Sequence, residues 1–433
     1  MPRPARLMRF GVATAILGSA LVSAASAPPP GGHWPQWRGP ARDGVSTETG
    51  LLQQWPVGGP PKLYSVAGLG IGYSSVAVTG GRIYTMGDLR GGQHVIALDE
   101  ENGKQIWATR IGAPYRDGYG GPRGTPTIDG DRVYAIGTDG QLVCLDATAG
   151  KERWRKDLGR DFGGFVMSGW NWSESPLVDG DRVVVTPGAP KAGIVALDKI
   201  TGKEIWRAAI PRSGPNGNDG AGYSSIVISQ GGGVKQYVQL MGRGLVGVRA
   251  SDGQFLWSNN AVANETANIS TPVVRGNHVF ASTGYGTGAV LVELAPAAEG
   301  RVTATQRYFI DGNRFQNHHG GMVLVGDHIY SGHGLSNGFP VCIEFLTGRL
   351  VWPPARSSVG SGSAAVMAAD GRLYFRYQNG QVVLIEASPA GYREAGSFRI
   401  PNPDDLSWPH PVIAAGRLYL REQDALHVYN VKR

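Results

Sequence analysis

Three histidines in two neighbouring stretches are the residues of this chain best suited to bind a transition metal. His318 and His319 lie in "RFQNHHGG" (314–321), and His333 lies in "SGHGLSNG" (331–338). Imidazole nitrogens are common ligands of zinc and copper. Because adjacent residues of a strand point to opposite faces, at most two of the three are expected to converge. We therefore favour hydrogen bonding along a channel, predict no metal, and keep the three as candidate ligands.

Two loops carry carboxylates that could act as a catalytic base. The stretch "FVMSGWNWSESP" (165–176) offers Trp170 and Trp172 beside Glu174, either as a ligand platform or as a loop that buries its rings. Asp219 lies in the Gly-rich "PNGNDGAGYSS" (215–225), where an ordinary turn is the alternative to an oxygen-ligand loop. The sequence contains none of the motifs typical of serine hydrolases, zinc proteases or nucleotide-binding enzymes.

A recurring phrase predicts the elements that position these residues. "ALDKITGKEIW" (196–206) has clear counterparts that end, like it, on Trp, and the copies return at a period of roughly 50 residues. The Asp of the phrase can accept hydrogen bonds from the turn backbone, and the Gly supplies a positive φ. The Trp is expected to lie between neighbouring units. The predicted structural residues are Asp99, Trp107, Asp146, Trp154, Asp198, Gly202, Trp206, Trp257 and Trp352.

Each unit also opens with a small-residue step, two apolar strands and a Gly/Asp hairpin turn. Eight such openings occur, at 74–87, 125–137, 175–188, 224–240, 271–284, 320–332, 364–376 and 410–422. Together with the phrase, they predict an all-β fold, an eight-bladed β-propeller with four antiparallel strands per blade. The last unit ends after its third strand, so we expect "PPKLYSVAG" (60–68), with Tyr64 in the Trp position, to complete blade eight and close the ring.

The loops that enter the inner strands should share one rim around the channel, and irregular repeats are where a binding function would reside. Aligning the eight openings brings the candidate loops of blades three and six to this rim. The aligned positions are Tyr73, Gly124, Glu174, Tyr223, Ser270, His319, Ser363 and Pro409, preceded by Gly72, Arg123, Ser173, Gly222, Ile269, His318, Gly362 and Trp408.

Residues 1–27 are predicted to be a secretory signal peptide, with an arginine-bearing start, an apolar run and small residues that allow cleavage after Ala24 or Ala27. The remaining 28–433 is predicted to be a single propeller domain, periplasmic or secreted from a bacterium, and monomeric. Removing the three arginines of the signal lowers the formal charge from +7 to +4, and the chain has no Lys/Arg run that would indicate nucleic acid. We expect no membrane span, and we expect Cys144 and Cys342 to be buried and unbridged.

The phrase resembles the pyrroloquinoline quinone (PQQ) type propeller repeat, A-x-D-x-x-T-G-K-x-x-W, and "HWPQWRGPARDGVS" (33–46) is similar to the start of secreted PQQ-like propellers. Two branches share this fold. One comprises quinoprotein alcohol and sugar dehydrogenases, which use PQQ and calcium. The other comprises the non-enzymatic BamB-type propellers of outer-membrane protein assembly.

The dehydrogenase resemblance implies a cofactor site at the rim. Arg123 and Trp172 would hold the quinone, with Tyr73, Trp170 and Tyr223 as further candidates, and Glu174 or Asp219 would serve as the base. However, Pro190 stands where that branch has a calcium-ligating Glu, and its vicinal Cys pair is missing. We therefore favour a non-catalytic binding or scaffolding module of the cell envelope, with a protein or small-molecule ligand at the channel rim. A PQQ-dependent dehydrogenase with a divergent site is the alternative.

Overall fold

The computed structural model describes residues 1–2, 33–116, 118–352, 360–404 and 406–433. Nearly all of the regular structure in these ranges is β, arranged as eight blades of four antiparallel strands. The predicted eight-bladed propeller is confirmed. The predicted signal peptide falls on positions that lie, from residue 3 onward, outside the described residues. No helix of the described ranges is long and apolar enough to cross a membrane.

Each blade runs from a short inner first strand to an outer fourth strand. Blades 1 to 4 comprise Ala77–Thr79, Arg82–Leu89, Gly92–Asp99 and Gln105–Gly112; Thr127–Asp129, Arg132–Ile136, Gln141–Asp146 and Glu152–Asp157; Leu177–Asp179, Arg182–Val185, Ile194–Asp198 and Glu204–Ala208; Val227–Ser229, Gln236–Met241, Gly244–Arg249 and Phe255–Asn259. Blades 5 to 7 comprise Val273–Arg275, His278–Thr283, Gly288–Pro296 and Val302–Asp311; Met322–Val325, His328–His333, Phe339–Glu344 and Leu350–Trp352; Ala364–Ala369, Arg372–Tyr377, Gln381–Glu386 and Glu394–Arg399. Blade 8 comprises Val412–Ala414, Arg417–Glu422, Ala425–Asn430 and the N-terminal Lys62–Val66. One α-helix, Leu158–Phe162, and two 3₁₀ turns, Gly231–Gly233 and Ala298–Gly300, lie between strands.

The ring closes as predicted, by a strand from the N-terminal part of the chain. Lys62–Val66 pairs antiparallel with Ala425–Asn430, and Tyr64 lies opposite Val428. This pairing removes the free edge that blade 8 would otherwise present. The apolar core is divided among the spaces between consecutive blades, and the largest share fills the junction of blades 7, 8 and 1, where the ring is closed.

The repeated phrase joins several blades to the next, whereas Trp257 bonds to Gln236 of its own blade. Trp206 of blade 3 donates its indole N–H to the Ala250 carbonyl of blade 4 at 3.3 Å, and its ring lies against Gly253 of the same turn. Trp107 and Trp154 make the same bond to the following blade. Tyr64 and Tyr308 take the Trp position in blades 8 and 5, and their hydroxyls reach the carbonyls of Glu100 and Phe345 at 2.6 Å.

Within each phrase, the aspartate holds the turn that receives the preceding Trp or Tyr ring. One oxygen of Asp198 accepts the backbone N–H groups of Ile200 and Thr201, and Asp99 and Asp146 do the same in their own turns. Each of these three aspartates therefore bonds to the backbone of its own turn. Cys144 and Cys342 are buried free thiols.

A feature that the repeats did not reveal is the course of residues 33–46, which lie across the central channel. Trp34 forms a two-way backbone bridge with Val78 of blade 1, and the Pro35 carbonyl accepts from Ile128 of blade 2. At the other end, Val45 and Ser46 run parallel to the first strand of blade 7. This channel segment, 33–46, therefore closes one end of the channel with ordered backbone.

Candidate functional site

A cavity of about 310 Å³ lies in the channel above the channel segment. Loops entering the inner strands form most of its wall, and loops between second and third strands contribute Tyr285, Ser336 and Gln378. Both kinds of loop therefore border one site, as propeller geometry predicts. The lining includes Trp37, Arg38, Tyr73, Tyr119, Arg123, Trp170, Tyr223, Tyr285, His318, His319, Trp408 and His410.

The structure brings many of the sequence-predicted candidates together. Tyr73, Arg123, Trp170 and Tyr223 line the cavity, as do the paired histidines of blade six. Ser173, Ile269, Ser270 and Trp408, from the two aligned positions, line it as well. The alignment of blade openings thus identified part of the wall, because the blades place corresponding loop residues at corresponding heights around the channel.

Trp172, Glu174, Asp219 and His333 are not among the cavity-lining residues. Trp172 packs over Gly140 and the core between blades 2 and 3. Asp219 is exposed and forms an ion pair with Arg243. The Nδ1 atom of His333 accepts the Gln316 backbone N–H at 3.2 Å. These residues pack against or bond to the chain around the cavity and do not face its interior.

Glu174 belongs to a buried hydrogen-bond network outside the cavity. It is 2% exposed and accepts bonds from the Thr186 backbone N–H at 2.7 Å, the Thr186 hydroxyl at 2.9 Å and Gln239 Nε2 at 3.2 Å. Burial raises the pKa of Glu174 to about 8, against the opposing effect of these bonds. The carboxyl holds the blade 3 entry loop to the second strands of blades 3 and 4. It does not line the cavity.

The floor of the cavity is formed by Trp37 and Arg38 of the channel segment. The Trp37 indole donates to Thr271 Oγ1 at 3.0 Å, and its ring lies 4.5 Å from that of His410. Arg38 Nη2 donates to the carbonyls of Asp43 and Met322. Arg38 is only 4% exposed, and its Nε and Nη1 atoms have no hydrogen-bond partner among the described residues. Burial lowers its pKa to about 10, so the guanidinium stays charged at neutral pH.

Rings and a second cation form one side of the wall. Arg123 donates to the carbonyls of Trp170 and Tyr119, both at 2.8 Å, which ties the loops of blades 2 and 3 together. Trp408 stacks against Tyr73 with centroids 5.0 Å apart, and Tyr119 lies 5.1 Å away. Burial lowers the pKa of Arg123, although it too remains a cation at neutral pH.

Neutral imidazoles line the cavity next to these rings. The rings of His318 and His319 lie 4.1 Å apart, and His319 lies 4.6 Å from Trp408. Burial lowers the pKa of His318 to about 4, that of His410 to about 3, and that of His319 well below its usual range. Within the described ranges, no three His, Cys, Asp or Glu side chains are grouped so that they could share a metal ion.

The Ser363–His318 pair does not have the geometry of an activated nucleophile. The Ser363 hydroxyl donates to the Leu335 carbonyl at 2.8 Å, so His318 Nδ1, 2.6 Å away, must donate to the hydroxyl oxygen. His318 Nε2 then accepts from the Tyr285 hydroxyl at 3.1 Å. Because the imidazole already donates to the hydroxyl, it cannot take the serine proton as a general base.

Sequence reasoning missed the residues that come from outside the repeat. Trp37 and Arg38 precede the first blade, and no repeat alignment can place them. Tyr285 and Tyr119 lie in connecting loops, and His410 lies one position beyond the aligned column. An unusual density of Trp and Arg in 33–46, ahead of the first strand, was the available signal.

A family model described as "Outer membrane protein assembly factor BamB" matches residues 66–135 and 91–353. Among curated proteins, the chain is similar to an outer membrane protein assembly factor BamB from Kangiella koreensis, with 28% identity over 244 residues that make up 53% of each chain. The chain thus spans about half the length of this relative. Among solved structures it resembles BamB from Moraxella catarrhalis, with a TM-score of 0.58, 13% identity, and coverage of 86% of this chain and 99% of that one. It also resembles quinohemoprotein alcohol dehydrogenase ADHIIG from Pseudomonas putida HK5, with a TM-score of 0.62, 15% identity, and coverage of 93% and 80%. At these identities the structural similarities establish the fold alone.

Proposed function

The chain belongs to the family of outer membrane protein assembly factor BamB, and on this premise we propose that it is a non-catalytic binding or scaffolding propeller of the bacterial cell envelope. The observation that carries the proposal is the lining of the channel cavity. It offers two cations, several aromatic rings and neutral imidazoles, which bind ligands, and among the described residues it includes no carboxylate that could serve as a base. The predicted secretory signal supports a periplasmic location, and the family supports a protein partner in outer-membrane protein assembly.

The PQQ-dependent alternative is poorly supported by the chemistry of the same residues. Calcium needs oxygen ligands, usually carboxylates, and none of the lining residues that the structure describes is Asp or Glu. Glu174 and Asp219, the candidate bases, are engaged by Thr186 and Arg243 away from the cavity. Trp172, the expected stacking partner of the quinone, packs on Gly140. The donor set present therefore does not fit a calcium–quinone pair.

Two measurements test the proposal. First, the purified protein is incubated with PQQ and Ca²⁺ and assayed for dye reduction with alcohols and aldoses; we expect no turnover, and turnover with stoichiometric quinone would overturn the non-catalytic assignment. Second, the chain is deleted in its source bacterium and the abundance of outer membrane β-barrel proteins is measured. We expect a decrease that the intact chain restores, and unchanged abundance would contradict the assembly role.

The location is tested separately by fractionation. The full chain, expressed with residues 1–27 in a Gram-negative host, is expected in the periplasmic fraction, and the same chain lacking these residues is expected in the cytoplasm. Recovery of both forms in the cytoplasm would contradict an envelope role.

A further inference from the structure

We propose that the channel cavity binds a small organic carboxylate with a flat body, such as an aromatic acid or a sugar acid. This proposal specifies the ligand of the binding role proposed above and rests on that role. It follows from the placement of two arginines, flat rings and neutral hydrogen-bonding groups around one cavity.

Arg38 carries a buried charge that the protein compensates only in part. Arg38 borders the cavity, and its Nε and Nη1 atoms lack partners among the described residues. The two acceptors of its Nη2 atom are backbone carbonyls, which carry no net charge. The charge of the Asp43 carboxylate, which accepts the Val45 backbone N–H at 3.0 Å, offsets part of the cost of burying Arg38, but burial dominates and lowers the pKa of Arg38. A bound anion would offset the remaining cost.

The described lining of the cavity carries positive charge. Arg38 and Arg123 are both cations at the cavity, and no Asp or Glu in the described part of the chain is among the residues that line it. The nearest blade 3 carboxyl, Glu174, is held by Thr186 and Gln239 outside the cavity. The local field therefore favours an anion over a neutral molecule and opposes an amine.

The shape of the cavity suits a small, flat ligand. Trp408, Tyr73 and Tyr119 present adjacent rings at 5.0 to 5.1 Å, and Trp170 meets Tyr223 edge to face at 5.8 Å on another part of the wall. Rings on several sides favour a flat apolar face over a branched aliphatic one. A volume of about 310 Å³ lies at the lower end of the range of ligand pockets, roughly 300–1,000 Å³, and suits a small molecule.

The lining also contains a polar atom without a partner, next to the ring of Trp408. His319 is among the lining residues, and its Nε2 atom is buried without a partner within the described part of the chain. Because the ring is neutral, this atom can accept from a hydroxyl or donate to an oxygen according to the tautomer. A hydroxylated carboxylate would satisfy His319 and the guanidinium together.

Calorimetry with the intact protein tests the proposal with matched probes. 4-Hydroxybenzoate is compared with 4-hydroxybenzyl alcohol and 4-hydroxybenzylamine, and glucuronate is compared with glucose. We expect one of the two acids to bind about tenfold or more tightly than its neutral counterpart, the difference that one charge-assisted hydrogen bond provides, and the amine to bind more weakly than both. The acid that binds distinguishes an aromatic from a sugar source. Equal affinity of acid and alcohol, or no binding of either acid at millimolar concentration, would overturn the proposal.

Variants locate the site. Arg123→Gln and Arg38→Gln are each expected to raise the dissociation constant of the bound acid about tenfold, whereas Arg243→Gln, which removes an arginine paired with Asp219 away from the cavity, should leave it unchanged. If Arg38→Gln fails to fold, Arg123→Gln alone decides the result. Unchanged affinity in Arg123→Gln would overturn the assignment to this cavity. A failure of the proposal leaves the β-barrel abundance assay unaffected, so it is distinguishable from a failure of the proposed function.

Discussion

Replacing Gly253 with alanine should destabilise the ring by wedging two blades apart. Gly253 has a φ of +74°, and an added Cβ would lie 2.5 Å from Cε3 and 2.9 Å from Cδ2 of Trp206 on the preceding blade. The Trp206 ring cannot easily yield, because it is 8% exposed, stacks on Tyr237 and donates to the Ala250 carbonyl. The new methyl group therefore meets both an unfavourable backbone conformation and an occupied space.

The magnitude follows from these two contributions. An L-residue in the left-handed region costs about 1–2 kcal/mol, and overpacking a buried contact costs about 1–3 kcal/mol. Gly253→Ala should therefore lower the free energy of unfolding by about 2–5 kcal/mol. Gly180→Ala is the matched control, because Gly180 has a φ of +61° and nothing lies within 4 Å of an added Cβ. The control should lose only about 1–2 kcal/mol.

Urea unfolding followed by far-ultraviolet circular dichroism measures both variants, with comparable m values required for the comparison. The double variant Gly253→Ala/Trp206→Phe adds a second test, since a smaller ring should relieve the clash and make the two changes non-additive by about 0.5–3 kcal/mol. Equal losses in Gly253→Ala and Gly180→Ala, or strict additivity in the double variant, would refute the idea that the Trp–Gly contact locks neighbouring blades.

Other predictions concern buried polar groups. Burial raises the pKa of Glu174 from 4.5 to about 8, so the stability that its protonated carboxyl contributes is complete below pH 4.5 and is lost as pH rises through 8. Glu174→Gln should remove this loss from unfolding free energies measured over a pH series. The same pH dependence in the variant would contradict the prediction. Tyr308→Phe should cost about 0.5–1.5 kcal/mol through loss of its 2.6 Å bond to the Phe345 carbonyl, whereas a urea titration equal to the unmodified chain would show that this bond contributes nothing. Burial lowers the pKa of His318 from 6.5 to about 4, so the stability that its neutral ring contributes is complete above pH 6.5 and is lost as pH falls to 4. The difference in unfolding free energy between the unmodified chain and His318→Gln should therefore shrink as pH falls across that window. A constant difference would argue against the prediction.

The ring could be predicted from sequence because its signals are local and repeated. Blades 1 to 3 each carry an Asp and a Gly in this turn, and every described fourth strand except that of blade 7, which has Gly396, presents a Trp or Tyr at the same register. The exceptional strand was predictable too, since Tyr64 occupies the Trp position in a segment that blade 8 lacks. Its contact with the Glu100 carbonyl reproduces the bond that Trp107 makes to the next blade.

The cavity floor could not be predicted in this way. Trp37 meets Thr271 across 234 residues, and Arg38 meets Met322 across 284, so no period or motif connects the partners. The wall was predicted only in part. Trp170 faces the cavity while Trp172, two residues later, packs on Gly140, and a left-handed backbone at Asn171, with a φ of +59°, lies between them. Alternation rules hold for strands, and this loop follows none of them.

The two halves of each blade therefore carry separable properties. The outer half holds the Trp–Gly contact, which Trp107, Trp154 and Trp206 make in the same way with the next blade. The inner rim holds eight corresponding loop positions whose residues differ, which is how an arginine, a pair of histidines and a stacked tryptophan come to face one space. Since Gly253 and Arg123 share no contact, stability and ligand affinity should respond independently to changes at these two positions. The repeat fixes where the cavity lies, and the departures from the repeat determine what it can bind.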